Sequence, residues 1–262
     1  AGACGEIVGC GRDEENLYRA VEQGVIDRYE LDPARAVKGA DVVVLAVPVG
    51  AIEHMVAAIQ PYLEPDAVIT DVGSTKGSVV QAVERAFGEI PPGFVPGHPI
   101  AGTEKSGVDA SFPELFRDRR VILTPVAGTR PDAIATVRAM WEATGAEVVE
   151  MDVFHHDEVL AATSHLPHLL AFTLVDTLSR LEEHPEIFDF AAGGFRDFTR
   201  IASSDPVMWR DICLSNSESV LAVLDRYTEE LDTLAEAIRA GDGDEVLESF
   251  QRAKTARDKF CG

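Results

Sequence analysis

Residues 97–107 read GHPIAGTEKSG, so one histidine stands between a glycine and a proline, with small residues behind it. Small side chains let backbone and ligand come close, and proline stiffens the approach. The setting fits a tight turn in which His98 bonds to backbone, or an imidazole aimed at a substrate. With an ordinary pKa of about 6.5, such an imidazole is mostly neutral at pH 7 and can take a proton. A second group of candidates surrounds Arg200, three residues after Asp197 and therefore its neighbour if 196–202 is helical. A guanidinium binds a carboxylate through a planar fork, in the strong class of charge-assisted contacts. The alternative is an exposed ion pair, worth little. Ser74, in DVGSTKG (71–77), either caps a helix or polarises a bound hydroxyl, and Asp71 and Lys76 shape that turn. Ser164 and His168 are four apart, hence on one helical face, with Pro167 tolerated as a kink. His165 lies between them, but no acidic or thiol partner accompanies the set, so no metal site is expected. His155 and His156 read as helix-start or surface residues. Trp209 reads as core or as pocket wall.

Something must position these groups. EIVGC (6–10), DVVVLAV (41–47), AVITDV (67–72), VILTPV and AEVVEM read as strands. Segments 13–24, AIEHMVAAI, 76–87 and PDAIATVRAMWEAT alternate with them as helices, the last opening on Pro131. That alternation predicts a doubly wound parallel sheet, and the β-branched run 41–47 predicts a strand buried on both faces. From Asp152 the pattern is helical nearly throughout. Leucines stripe 160–181 and 221–234, and AGDGDE separates a last helix. Such stripes favour burial against a second subunit over packing within the chain alone. The expected division is residues 1–151 and 152–262.

Acidic residues outnumber basic ones 45 to 23 among 262, a formal net charge of −22. Such a surface repels phosphate backbones and anionic lipid, so neither nucleic acid nor membrane is an expected partner. An anionic substrate then needs a local basic pocket. Cys4, Cys10, Cys213 and Cys261 lack metal or disulfide spacing, as in a reduced cytoplasmic protein. The apolar runs look too short and interrupted to span a bilayer.

A dinucleotide fingerprint, G-x-G-x-x-G, is absent where a first strand should open a helix. The glycines of GACGEIVGCG flank a strand instead. AGACGEIVGC reads as the end of a first helix running into a second strand, which puts strand one and its phosphate loop upstream of Ala1. After that second strand an acid usually meets the ribose 2′-hydroxyl. Gly11 and Arg12 stand there, which leans toward a 2′-phosphate; the alternative is a solvated Arg12 with Asp13 capping the next helix.

DVGSTKG (71–77), GHPIAGTEKSG (97–107), SHLPH (164–168) and GGFRDFTRIASSDPVMW (193–209) follow in that order. Together they closely resemble the prephenate dehydrogenase family, which includes the arogenate dehydrogenases of tyrosine biosynthesis. The likeness covers essentially the whole chain. It departs at the glycine-rich loop and at Gly11, where many members carry an acid. The resemblance implies an N-terminally truncated Rossmann-type sheet followed by an all-α dimerisation domain, in a cytoplasmic homodimer. It implies oxidative decarboxylation of a cyclohexadienol with NAD or NADP. It makes His98 the proton acceptor, Ser74 its orienting neighbour, and Arg200 the substrate anchor steadied by Asp197. Ser164, His168 and Gly193 line the substrate pocket, with Trp209 near it or reaching across the dimer. Thr103, Glu104 and Lys105 extend the His98 loop, where Glu104 touches substrate, gates the site or is simply solvated. Val47 and Pro48 end the central strand, beside the cofactor or as ordinary turn residues. His168 and Glu104 make the pocket polar, which leans toward prephenate over arogenate. The residues leave open two other classes: a different two-domain hydroxy-acid dehydrogenase, for which no lysine-base motif is found, and a non-catalytic ligand-binding relative.

Overall fold

In a computed structural model, residues 4–102, 107–181 and 186–261 are described. Short strands alternate with capped helices through the first half. Strand β1 (Val8–Cys10) leads to α1 (Glu14–Glu22), where the Asp13 side chain accepts from Asn16 N and Gly24 leaves the helix at φ 68°. Then come β2 (Arg28–Glu30), α2 (Pro33–Ala36), β3 (Val42–Leu45), α3 (Ile52–Ile59), β4 (Val68–Asp71), α4 (Gly77–Phe87) and β5 (Phe94–Val95). The half closes with β6 (Gly97–Pro99), β7 (Arg120–Leu123), α5 (Pro131–Glu142) and β8 (Glu147–Glu150).

Pairing is parallel for β1–β2, β3–β4–β5 and β7–β8, the expected doubly wound architecture. The pair β6–β7 is antiparallel and sets His98 opposite Ile122. His98 is therefore the middle residue of a strand, not of a loop. Three residues with glycine and proline at the ends carry no strand periodicity to read.

Two apolar layers clamp the sheet. Ile52, Val56, Val79 and Val83 from α3 and α4 pack on Val43, Leu45 and Phe94. Ala133, Val137 and Trp141 of α5 pack on Val68, Val95, Val121 and Leu123. Burying each large aliphatic side chain stabilises by about 1.5–3 kcal/mol. The run 41–47 is not buried on both faces: Val44 is 42% exposed. Side chains alternate along a strand, so with Val43 and Leu45 turned to α3 and α4, Val44 faces the other way, on a strand at the sheet edge.

Asp152 caps α6 (Val153–Leu160) by accepting from Phe154 N and His155 N. A π-helical turn, Ala161–His165, joins α6 to α7 (Leu166–Ser179). Proline cannot continue an α-helix without clashing one turn back, and the wider turn just before Pro167 relieves that clash. Then follow α8 (Gly193–Thr199), α9 (Pro206–Ser215), α10 (Ser217–Ala240) and α11 (Gly243–Cys261). The continuous helix Val153–Ser179 has 27 residues and a mean hydropathy of 1.2 in its most apolar stretch. By length and composition it can cross a membrane, contrary to the sequence expectation. Its fully buried His156 and His165, however, are hydrogen-bonded within the fold.

Packing divides the chain into two compact units, Ala1–Ser217 and Glu218–Gly262. In the second, Leu221, Leu231, Ile238, Leu247 and Phe250 are each more than half exposed.

Candidate active site

The site begins with a buried ion pair at the carboxyl end of β4. Asp71 and Lys76 are fully buried and bonded to one another. Asp71 also accepts from Gly73 N at 2.8 Å and Gly97 N at 3.1 Å, while Lys76 Nζ donates to Gly97 O at 2.6 Å. The turn 72–76 is thus wound around a charge pair that also grips the start of β6. This explains the glycine before the histidine: a Cβ on Gly97 would lie 3.0 Å from Asp71 O and 3.4 Å from Leu123. Burial pushes the Lys76 ammonium below its ordinary pKa, and Asp71 and Asp157 oppose that shift.

His98, next along β6, keeps only 9% of its surface exposed. Burial, with Lys76, His156 and His165 nearby, holds its pKa well below 6.5. It is a neutral base at physiological pH. Its Nδ1 lies 2.9 Å from His156 Nε2, and His156 Nδ1 lies 2.8 Å from Asp157 Oδ1. His156 is therefore no surface residue; it is completely buried, while His155 beside it is exposed. One helical step of about 100° separates the two, enough to send them to opposite environments.

Asp157 does more than meet His156. Its Oδ1 accepts from Lys76 N and its Oδ2 from Gly77 N, both at 2.8 Å. It caps α4 from another helix, a role the sequence offered to Ser74. Ser74 cannot cap α4, because the helix starts at Gly77 with Lys76 at its N-cap and no side-chain cap bond. Burial pushes the Asp157 carboxyl up, but His156 and the two backbone donors outweigh it and hold it below its ordinary range.

Asn216, at the end of α9, joins this chain to a second pair of histidines. Its Nδ2 donates to Asp157 O at 2.8 Å and to His165 Nδ1 at 3.2 Å. His165 meets Trp209 edge-on at 6.2 Å, and His168 stacks on the same indole at 3.5 Å and 16°. His168 Nδ1 bonds to Ser164 O at 2.9 Å, so Ser164 and His168 are neighbours as their spacing required. Trp209 is buried, and its Nε1 has no hydrogen-bond partner among the described residues. Burial pushes His165 down to about 4, countered in part by Asp157 and the Ser74 backbone, and pushes His168 down as well.

These shifts predict a pH dependence of stability. In the unfolded chain the three histidines gain protons below about pH 6.5, while in the fold they resist. Stability therefore falls as pH drops from about 6.5 toward about 4, where His165 begins to protonate in place. His165 alone contributes a loss on the order of 3 kcal/mol across that window. Thermal melts between pH 7.5 and 4.5 should show a steadily falling midpoint; a flat profile contradicts this account.

The remaining candidates stand on other elements. Arg200 stands where α8 tightens into a 3-10 turn, Arg200–Ser203, that packs on α7. Asp197 and Arg200 thus share one helical stretch, both exposed, as is Gly193 at the start of α8. Arg12 is exposed after β1, and Val47 and Pro48 follow β3. Both sites are at the carboxyl ends of parallel strands, where open α/β sheets bind ligands. Thr103, Glu104 and Lys105 lie outside the described residues. Among the described residues no group of three or more His, Cys, Asp or Glu has the arrangement to hold a metal. A hollow of about 350 Å³ lined by Arg130, Pro91 and Gly93 lies at the amino ends of β4 and β5, and none of these groups lines it.

Comparison with known proteins locates this architecture. The family profile described as prephenate dehydrogenase, nucleotide-binding domain, matches residues 1–150, and the one described as prephenate dehydrogenase, dimerization domain, matches 152–252. A cyclohexadienyl dehydrogenase of Zymomonas mobilis is 44% identical over 91% of this chain and 81% of its own length. A prephenate dehydrogenase of Bacillus subtilis is 38% identical over 96% of this chain and 68% of its own. The crystal structure of prephenate dehydrogenase from Aquifex aeolicus, in complex with hydroxyphenyl propionate and NAD+, superposes with a TM-score of 0.91 at 38% identity. It covers 99% of this chain and 90% of that one.

Proposed function

The chain belongs to the prephenate dehydrogenase family, and from that premise we propose that it oxidatively decarboxylates prephenate to 4-hydroxyphenylpyruvate, a step of tyrosine biosynthesis. The observation that carries this reading is His98, a base kept neutral chiefly by burial and held in contact with His156. Loss of carbon dioxide makes the ring aromatic, so the chemistry runs downhill and asks little of the protein. A bound nicotinamide dinucleotide supplies the hydride acceptor. His98 takes the 4-hydroxyl proton as the hydride leaves C4, and returns it to the ring oxygen once carbon dioxide has gone. Ser74 orients that hydroxyl. Arg200, steadied by Asp197, clasps a substrate carboxylate against the strongly acidic background of the chain. Gly193, Ser164, His168 and Trp209 shape the pocket, and Thr103 and Glu104 belong to its loop.

Residues 1–151 carry the dinucleotide and 152–262 the substrate and the subunit contact. Val47 and Pro48 border the cofactor, and Arg12 gives NADP a slight advantage over NAD. The exposed leucine stripe of α10 and α11 is covered in a homodimer working in the cytoplasm. A spectrophotometric assay of the intact gene product, crossing prephenate and arogenate with NAD and NADP, tests these points together. Turnover of prephenate supports the assignment, and turnover of arogenate alone moves it to the sister reaction. No turnover with any pair removes it, and a strong NAD preference removes the role of Arg12.

Arg200→Ala is expected to raise KM roughly 10- to 100-fold with little change in kcat, because an anchor made equally in ground and transition states acts on binding. An unchanged KM in steady-state kinetics counts against the anchor.

A further inference from the structure

We propose that His156 and Asp157 are positioning residues that fix the tautomer of His98, leaving the lone pair of its Nε2 free to accept the substrate proton. The proposal rests on His98 being the proton acceptor in the reaction above.

The chain of bonds admits one ordering of protons for neutral rings. The Asp157 carboxylate faces only donors: Lys76 N and His156 Nδ1 at Oδ1, Gly77 N at Oδ2, each at 2.8 Å. An ionised carboxylate only accepts, so His156 Nδ1 carries a hydrogen. A neutral imidazole has one N–H, which leaves His156 Nε2 bare. That bare nitrogen lies 2.9 Å from His98 Nδ1, and a hydrogen bond there needs a proton from His98. His98 Nδ1 is then the protonated nitrogen, and Nε2 the basic one. A solvent-exposed imidazole would divide its proton between both nitrogens; here the choice is made 58 residues away in sequence. The same chain ties the charge formed on His98 to the Asp157 carboxylate, in the manner that a buried aspartate steadies an imidazolium in hydrolase triads.

Asp157 is a poor first target, because it also caps α4. His156 separates the roles. In His156→Gln the amide oxygen reaches the place of Nε2 and accepts from His98 Nδ1; in His156→Leu nothing does. The expected result is a fall in kcat of roughly 10²-fold for His156→Leu with KM within a few fold, and recovery to within about tenfold of the parent for His156→Gln. Nitrogen-15 NMR of the histidine-labelled enzyme reads the tautomer directly, with the His98 signals assigned by their loss in His98→Asn. The unsubstituted enzyme should show a pyrrole-type Nδ1 and a pyridine-type Nε2 on His98.

A protonated Nε2 on His98, or a doubly protonated His156 donating toward it, overturns the proposal whether or not the variants fold. So does a folded His156→Leu enzyme with unchanged kcat. Normal turnover by His98→Asn sinks the functional reading instead, whatever the spectrum shows.

Discussion

His98→Asn is expected to lower kcat by roughly 10²–10⁴-fold while substrate still binds within a few fold. The asparagine amide can occupy the place of Nδ1 and donate to His156 Nε2, so the 2.9 Å contact and the packing around it survive. What disappears is the basic nitrogen. In the proposed reaction, binding rests on Arg200, His168 and Trp209, which the substitution does not touch. Rate and affinity should therefore separate, with kcat falling in steady-state assays and calorimetric titration of the phenolic product staying near the parent value. In the parent enzyme the acid limb of kcat/KM should lie below pH 6.5, since the base stays neutral there. Turnover within tenfold of the parent would remove His98 from the chemistry.

Lys76→Met should destabilise the fold by about 3–5 kcal/mol, the usual cost of removing one partner of a buried ion pair. The intact pair adds little net stability, because two charges had to leave water. Once the ammonium is gone, Asp71 keeps its bonds from Gly73 N and Gly97 N but holds a charge with no counterion, and Gly97 O loses a donor. The melting midpoint should fall on the order of 10 °C. Urea denaturation should show a lower midpoint at similar slope. A loss under 1 kcal/mol would mean that water or a rearranged backbone replaces the cation.

Much of this is legible in the sequence itself. The strand and helix alternation fixed the layer order because buried parallel strands and amphipathic helices carry different periods. His98 and the pair Ser164 and His168 stood out by composition and spacing. His156, Asp157 and Asn216 did not. Apart from the bond between His156 and Asp157 themselves, their partners lie 51 to 81 residues away, and nothing local marks a histidine–aspartate step as buried when the same pair suits a helix start. The expectation of a doubly buried β3 failed at Val44 because hydrophobicity registers what a strand tolerates, not which neighbours it has. Strands of three residues, such as β2 and β6, are too short to show a period.

The π-helical turn at Ala161–His165 acts like an extra residue wound into the rod. Every α-helical residue advances the side-chain direction by about 100°, so one surplus position re-aims all that follows by that amount. Asp157, upstream of the turn, and His165, at its end, both reach Asn216. Excising a single alanine there would straighten the winding and swing His165 and His168 off the indole. The compass bearing of His165 and His168 is thus set by a miscount in the coil, one that a deletion, not a substitution, would erase.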